Sequence, residues 1–384
     1  MKVAIVLPSG HFFDTPCVPN LAKCLAEKGF KVDLFTAKNL ATPTGKLEHP
    51  DISIRWFPIT LNKSKETIIW LIAGFFFWFG KFLIMNRYDY VIACGIRSLF
   101  VVGFLSLIFR FKYIYHSLEI YSGKQFTSLK GRIFKKCESY FNKRAVFCII
   151  QDEKRAQILR RLNSLKGQPI MIFPNSPLIT KNNQCEVTTS VMNCDINKKF
   201  NIPEGKILIL YSGSLSDDWS GCRKIIESTR YFSENWILFL QARTEIKETF
   251  ITADLETFIK ENKVIYSLKP LSEEEYNELV DRISVGLAWY ESEDENIKYV
   301  GLSSGKISMY LLHGKPIIVN RIPMYDEICD MYKCGIVIDK TEEIPKALDK
   351  IIDKYETYST GAYIAYEDLF NIEKYCSTIS EFMK

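Results

Sequence analysis

Short apolar runs alternate with amphipathic stretches along most of the chain, and this alternation predicts its elements. KVAIVLP opens as a buried strand, Pro8-Ser9-Gly10 breaks it, and a helical pattern follows from Val18 to Lys28. KVDLFTA and ISIRWFPI read as two further strands, and a long apolar helix runs from Thr67 to Met85. YVIAC, KYIYHS, AVFCIIQ and MIFPNSP continue the strands, with helices at Ser98 to Phe109 and in GRIFKKCESYFNKR. Strands this uniformly apolar are buried on both faces, and helices between them make the sheet parallel. From Lys181 to Asn201 the chain turns polar, as a linker does. The pattern then restarts with KILILYSGS, a helix at Cys222 to Thr229, WILFLQA, KVIYSLK, a helix at Ser272 to Arg282 and VGLAWY. It closes with the loop and helix of VGLSSGKISMYLLHG, then KPIIVN and GIVID. The expectation is an α/β protein with two Rossmann-like domains facing across a cleft, one at 1–178 and one at 179–363, and a last helix at about 364–384 that packs back on the first.

Length and composition agree with this plan. A chain of 384 residues with an apolar fraction of 47% has material for two sizeable cores. Its eleven cysteines have the spacing of neither a zinc site nor a disulfide framework, the nearest pair being Cys329 and Cys334. MKVAIVLPSG reads as a buried first strand and not as an export signal, so a reducing cytoplasmic setting is expected.

The net charge of +5 hides an asymmetry. From Met1 to Pro177, 26 Lys and Arg stand against 11 Asp and Glu, leaving +15; the rest of the chain has 24 against 34, leaving −10. A basic half attracts polyanions. No zinc finger, basic zipper or aromatic RNA-binding strand accompanies it, so no nucleic-acid partner is expected and an anionic membrane surface is. TIIWLIAGFFFWFGKFLIM, with Lys81 its only charge, is long enough to span a bilayer. YDYVIAC follows after two residues and belongs to the same sheet as the first strands, which a spanning helix would separate by a membrane. The expectation is a helix packed on the sheet by one face, with Phe76, Phe77 and Trp78 offered to the interface; a wholly buried helix is the competing reading.

The candidate chemistry centres on VGLSSGKISMYLLHGKPIIV, residues 300–319. It is not the phosphate loop of nucleoside triphosphatases, because only three residues separate Gly301 from Gly305 and Ile307 stands where a magnesium-binding hydroxyl belongs. The physics of anion binding is retained: a Gly/Ser turn, the positive end of a helix and one ammonium, Lys306. The competing reading is an ordinary helix start capped by Ser303 or Ser304.

These residues carry a resemblance. SSGKISMYLLHGKPIIV is similar to the donor-binding segment of GT-B glycosyltransferases near glycosyltransferase family 4, in which a Lys opens a helix that ends in Gly-x-Pro before an apolar strand. PNSP at Pro174 to Pro177 resembles the close of that group's first domain, SGSLSDDWSG at Ser212 to Gly221 its glycine loop, and KYIYHSLEIY the strand that ends near a sugar-facing His. The resemblance implies an acceptor-binding first domain and a nucleotide-sugar-binding second one. Gly213, Ser214, Arg243, Lys269, Ser303, Ser304, Gly305 and Lys306 become the donor-binding candidates, Gly10 and His11 the acceptor-binding ones, and His116, Glu119 and Asp14 the catalytic ones. Lys306 would stabilise the departing nucleoside diphosphate, with a UDP-sugar favoured as donor. Glu119 or Asp14 would act as base if the reaction inverts, an N-cap being the competing role of Asp14. No cofactor and no metal is expected, since the chain contains no Asp-x-Asp.

The departures are specific. The two glutamates common in that group, with seven residues between them, fall here on Gly301 and Met309, and its Arg and Lys by the glycine loop fall near Ser214 and Ser220. Ribose recognition is therefore expected from Glu293, Glu295, Arg243 or Lys269. The expected activity is sugar transfer to a lipid-linked or glycan acceptor in surface polysaccharide synthesis, by a peripheral protein on the inner face of the membrane. A nucleotide-sugar epimerase of the same fold and a non-catalytic membrane-associated scaffold are the alternatives.

Overall fold

The structure is a computed structural model, and it describes residues 1–10, 12, 15–39, 47–61, 67–122, 125–126, 128–177, 195–215, 220–261 and 263–384. The chain divides into two compact units, Met1–Leu178 with Asn371–Lys384, and Ile179–Phe370.

In the first unit, β1 (Lys2–Leu7), β2 (Lys31–Asn39), β3 (Ile52–Leu61), β4 (Tyr90–Cys94), β5 (Tyr113–His116), β6 (Cys148–Ile150) and β7 (Ile170–Ile172) form one sheet in the order β3-β2-β1-β4-β5-β6-β7. All pairings are parallel, and Val3 lies opposite both Val32 and Tyr90. Strand order reverses between β1 and β4, the point at which doubly wound sheets open a crevice beyond their carboxyl ends. Helices α1 (Cys17–Glu27), α2 (Thr67–Met85), α3 (Ile96–Phe109), α4 (Leu129–Asn142) and α5 (Glu153–Asn163) connect the strands. Leu71, Phe75 and Phe79 of α2, Leu99 and Val102 of α3 and Phe141 of α4 bury one face of the sheet. Leu21 and Leu25 of α1 cover the other. Asp152 caps α5 by accepting from the Arg155 N–H at 2.8 Å.

The second unit repeats the topology. Strands β8 (Ile207–Gly213), β9 (Trp236–Ala242), β10 (Val264–Ser267), β11 (Val285–Ala288), β12 (Ile317–Asn320) and β13 (Gly335–Ile338) run in the order β10-β9-β8-β11-β12-β13, again parallel. Its helices are α6 (Cys222–Ser228), α7 (Ala253–Lys260), α8 (Glu273–Arg282), α9 (Gly305–Leu312), α10 (Tyr325–Tyr332), α11 (Ile344–Asp353) and α12 (Tyr355–Leu369), with single turns at Ile196–Lys199 and Glu295–Lys298. A reciprocal cap between Ser272 and Glu275 starts α8.

The expected last helix at about 364–384 is two helices. α12 ends at Leu369, Asn371 caps the next by accepting from the Glu373 N–H at 3.1 Å, and α13 (Ile372–Met383) follows in the first unit. Ile372, Cys376, Ile379 and Met383 of α13 join the core against α1. Among the described residues no helix is long and apolar enough to cross a membrane.

Candidate functional site

The donor-side candidates gather where strand order reverses in the second unit, beyond the ends of β8 and β11. Ser304, almost fully buried, caps α9 by accepting from the Ile307 N–H at 3.3 Å. The first-turn N–H groups of Gly305 and Lys306 therefore point out along the helix axis, where the dipole favours an anion. The Lys306 ammonium lies 4.4 Å from the centre of the Tyr211 ring and 5.0 Å from that of Tyr290, sandwiched against two aromatic faces. Burial, followed by the nearby Arg243 guanidinium, pulls its pKa down to about 7. Among the described residues, no carboxylate offsets this charge.

Gly213 ends β8 with a φ of 145°, and a Cβ there would sit 2.9 Å from the Lys306 ammonium. Glycine is thus needed twice, for the backbone and for the space. The Arg243 N–H donates to the Gly213 carbonyl at 3.1 Å, which ties the end of β9 to the same turn. Ser212 donates to the Gln241 side-chain oxygen at 2.8 Å, and its own N–H reaches the Tyr310 hydroxyl at 3.2 Å. The Tyr310 hydroxyl in turn donates to the Leu210 carbonyl at 3.1 Å, locking α9 to β8.

The structure thus brings Gly213, Arg243, Ser304, Gly305 and Lys306 together. Ser214 follows Gly213 and is exposed. The Ser303 hydroxyl donates to the Val300 carbonyl, so it serves the turn and not the cap. Lys269 lies apart, just past edge strand β10, with its side chain 80% exposed and 4.0 Å from Glu245. Glu293 is exposed, and Glu295 starts its own single turn.

Sequence reasoning missed Tyr211, Tyr290 and Asn320. Asn320, at the end of β12, accepts from the Tyr290 N–H at 2.9 Å and donates to the Tyr290 carbonyl at 2.8 Å. This reciprocal amide clamp holds Tyr290, whose hydroxyl bonds to that of Ser304, against Lys306. The available signal was positional: Tyr290 and Asn320 both sit where neighbouring strands β11 and β12 end.

In the first unit, Gly10 is buried with a φ of 69°. His11 and Asp14 lie outside the described residues. His116 ends β5 fully buried, its Nδ1 3.9 Å from the Cys94 sulfur and its Nε2 without a hydrogen-bond partner among the described residues. Burial lowers its pKa to about 3, so at neutral pH it is a neutral hydrogen-bonding group. Glu119 is exposed and accepts from the Tyr121 hydroxyl; no contact joins it to His116. The Asn175 side chain in PNSP accepts from the Cys17 N–H at 3.2 Å, and Asn20 donates to the Ser176 carbonyl at 2.8 Å. That motif fastens the end of the sheet to α1. In the second unit, His313 at the end of α9 is buried, its Nδ1 2.6 Å from an Asp281 carboxylate oxygen.

Two doubly wound parallel sheets, one in each unit, define the class. The fold is that of GT-B glycosyltransferases. Residues 240–363, within the second unit, match the family described as glucosyltransferase 3-like, C-terminal domain. Sucrose-phosphate synthase from Thermosynechococcus elongatus is similar across 100% of this chain and 98% of its own, at 16% identity and a TM-score of 0.72. HepE from Anabaena, solved in complex with UDP, is similar across 100% and 99% at 18% identity and 0.70. WaaG, a glycosyltransferase involved in lipopolysaccharide biosynthesis, is similar across 100% and 99% at 16% identity and 0.63. No curated protein matches the chain by sequence.

Proposed function

We propose that this chain transfers a hexosyl group from a nucleotide sugar, with a UDP-sugar favoured, to a lipid-linked or glycan acceptor in surface polysaccharide synthesis, without a metal or other cofactor. The observation that carries the reading is the Lys306 ammonium, enclosed by Tyr211 and Tyr290 at the start of α9 with Arg243 close enough to lower its pKa. In the reaction the bond from the anomeric carbon to the diphosphate oxygen breaks and a bond to an acceptor oxygen forms. Negative charge grows on the diphosphate as it leaves, and the acceptor gives up a proton. A cation and two helix N–H groups fixed beside that charge lower the barrier because they interact more strongly with the leaving group than with the intact donor. HepE, of the same fold, has been solved with UDP and with UDP-glucose, and WaaG is described as acting in lipopolysaccharide biosynthesis; both support the choice of donor and setting. On the acceptor side, His116 would offer a hydrogen bond to the sugar, and Glu119 or Asp14 would take the proton. The protein would work at the cytoplasmic face of a membrane as a peripheral enzyme.

The test is turnover of a panel of nucleotide sugars by wild type and Lys306→Ala. Transfer should fall at least ~100-fold in the variant with its melting temperature held, the loss typical of removing one charge-stabilising group. Normal turnover in the purified variant would sink the proposal.

A further inference from the structure

The outer helical layer of the first unit exposes a large apolar surface that none of the described residues covers. A Cβ at Gly80 on α2 would meet Leu105 of α3 at 3.4 Å, and Gly103 on α3 leaves room for Phe141 of α4, so the three helices pack side by side. Their inward side chains fill the core. Outward point Phe77, Ile84 and Met85 of α2, exposed at 75%, 74% and 70%, with Phe104, Leu107 and Ile108 of α3 beside them. Patches of this kind on a folded unit mark an interaction surface.

What surrounds the patch indicates its partner. Arg87, Arg110, Lys112, Lys143 and Arg144 are exposed where α2, α3 and α4 end, and Lys81 stands on α2 itself. Within α2, α3 and α4 the sole acidic residue is Glu138, whose carboxylate is buried against Lys135 at 2.6 Å and the Tyr115 hydroxyl at 2.8 Å. Asp89, just before β4, is an exposed acid nearby, and it accepts from the Lys2 N–H at 2.7 Å. An apolar face rimmed by cations, with its own carboxylate neutralised inside, matches an anionic lipid bilayer: side chains enter the headgroup boundary while the cations meet lipid phosphates. We propose that the α2–α3 face, with the cationic helix ends, docks this protein on an anionic membrane.

The face differs from the trio expected from sequence. Consecutive helical residues point about 100° apart, so Phe76, Phe77 and Trp78 do not share one face. Trp78 packs 5.5 Å from Phe35, 5.4 Å from Phe57 and 5.1 Å from Phe75, in the core, while Phe77 points outward. In this doubly wound unit α3 leaves the carboxyl end of β4 and returns to the start of β5, so Leu107, Ile108 and Arg110 lie at the amino ends of the strands. Docking there leaves the carboxyl-end crevice, with Gly10 and His116, clear of lipid. The surface belongs to the first unit and the proposed anion site to the second; the inference rests on the peripheral-membrane reading above, and its test does not depend on sugar transfer.

The experiment is flotation of the full chain with phosphatidylcholine vesicles, with and without about a third phosphatidylglycerol, at low and high salt. Wild type should float with the anionic vesicles and less so with the neutral ones, and salt should weaken binding without abolishing it. Ile84→Ser with Leu107→Ser and Ile108→Ser should reduce partitioning at least ~10-fold. Arg87→Gln with Lys143→Gln should reduce it by about 25-fold, roughly fivefold per cation. All these side chains are exposed, so melting temperature and UDP binding should match wild type, which separates loss of docking from loss of fold or of donor site. The proposal is overturned if wild type stays with the solvent, or if the serine variant floats as well as wild type. It is overturned equally if sedimentation velocity shows a concentration-dependent dimer that the serine variant dissolves, since a second copy would then cover the face.

Discussion

Raising the pH from 7 to 9 should weaken UDP binding about 50-fold, and the structure says by which proton. An ordinary lysine stays charged throughout this range, but Lys306 titrates at about 7 because it is buried and faces Arg243. The other charge effect on it is from Cys222, in the opposite direction. At pH 7 about half of the free protein has the ammonium, and at pH 9 about one per cent does. A bound diphosphate supplies the missing negative charge and restores the protonated form, so binding at high pH must first take up a proton. The first pH unit above 7 then costs about 1 kcal/mol, or roughly fivefold in affinity, and the second about 1.3 kcal/mol, or roughly ninefold. The nucleotide's own last phosphate pKa, near 6, is too low to produce this trend. Titration calorimetry in buffers of different ionisation enthalpy should report about 0.5 proton taken up per UDP at pH 7 and about 0.9 at pH 8. Lys306→Arg keeps a permanent charge and should flatten the profile. Constant UDP affinity from pH 7 to 9, or no proton uptake at pH 8, would refute the reasoning.

Three further outcomes are expected. Gly213→Ala places a methyl group 2.9 Å from the Lys306 ammonium on a backbone that disfavours side chains, and UDP affinity measured by calorimetry should drop at least ~10-fold. Turnover should persist in excess chelator, because the sequence has no Asp-x-Asp; loss restored by magnesium or manganese would contradict this. His116, held near 3 against an ordinary 6.5, refuses a proton that the unfolded chain accepts. Its contribution to stability is complete above about pH 6.5 and declines as pH falls toward 3, by at most ~1.4 kcal/mol per unit. His116→Leu should make the urea midpoint less sensitive to pH between 4.5 and 6.5, and an unchanged slope would exclude His116 as the source.

The doubly wound plan was legible because each strand is an apolar run with helices between, and both sheets follow directly from that pattern. Other elements were not. The sequence pattern assigns no element to the charged stretch EKRAQILRRLN, yet it is α5, buried by Ala156, Ile158 and Leu159 on one face. The crossing at Phe370 and Asn371 has no Gly or Pro to mark it, only an Asn cap, so two helices merge into one pattern. At the site, Lys306, Gly213 and Arg243 could be read from loops that follow strands. Tyr211 is a strand residue indistinguishable by pattern from core aromatics, and only three-dimensional packing sets its ring against Lys306. The outward face of α2 was legible as apolar but not resolved by residue, since a helix apolar all round has no period to read.

The absent glutamates have a physical account. Gly301 has a φ of 40° and its carbonyl accepts from the buried Tyr325 hydroxyl at 3.0 Å, so a glutamate there would strain the turn that positions Ser304. Met309 packs against the core beneath α9, where a carboxylate would lose its hydration. Both positions are thus committed to holding the helix start in place. Among the described residues, the charged or ionisable groups acting on Lys306 are Arg243 and the Cys222 thiol, with no carboxylate beside them. Left to themselves, the two cations repel, and the lysine gives up its proton readily. Joined by a diphosphate, they gain the counter-charge they lack, and the gain is largest when the leaving group has its full negative charge. Under the proposed function, the same arrangement that loses a family-like carboxylate would direct the binding energy toward the departing nucleotide.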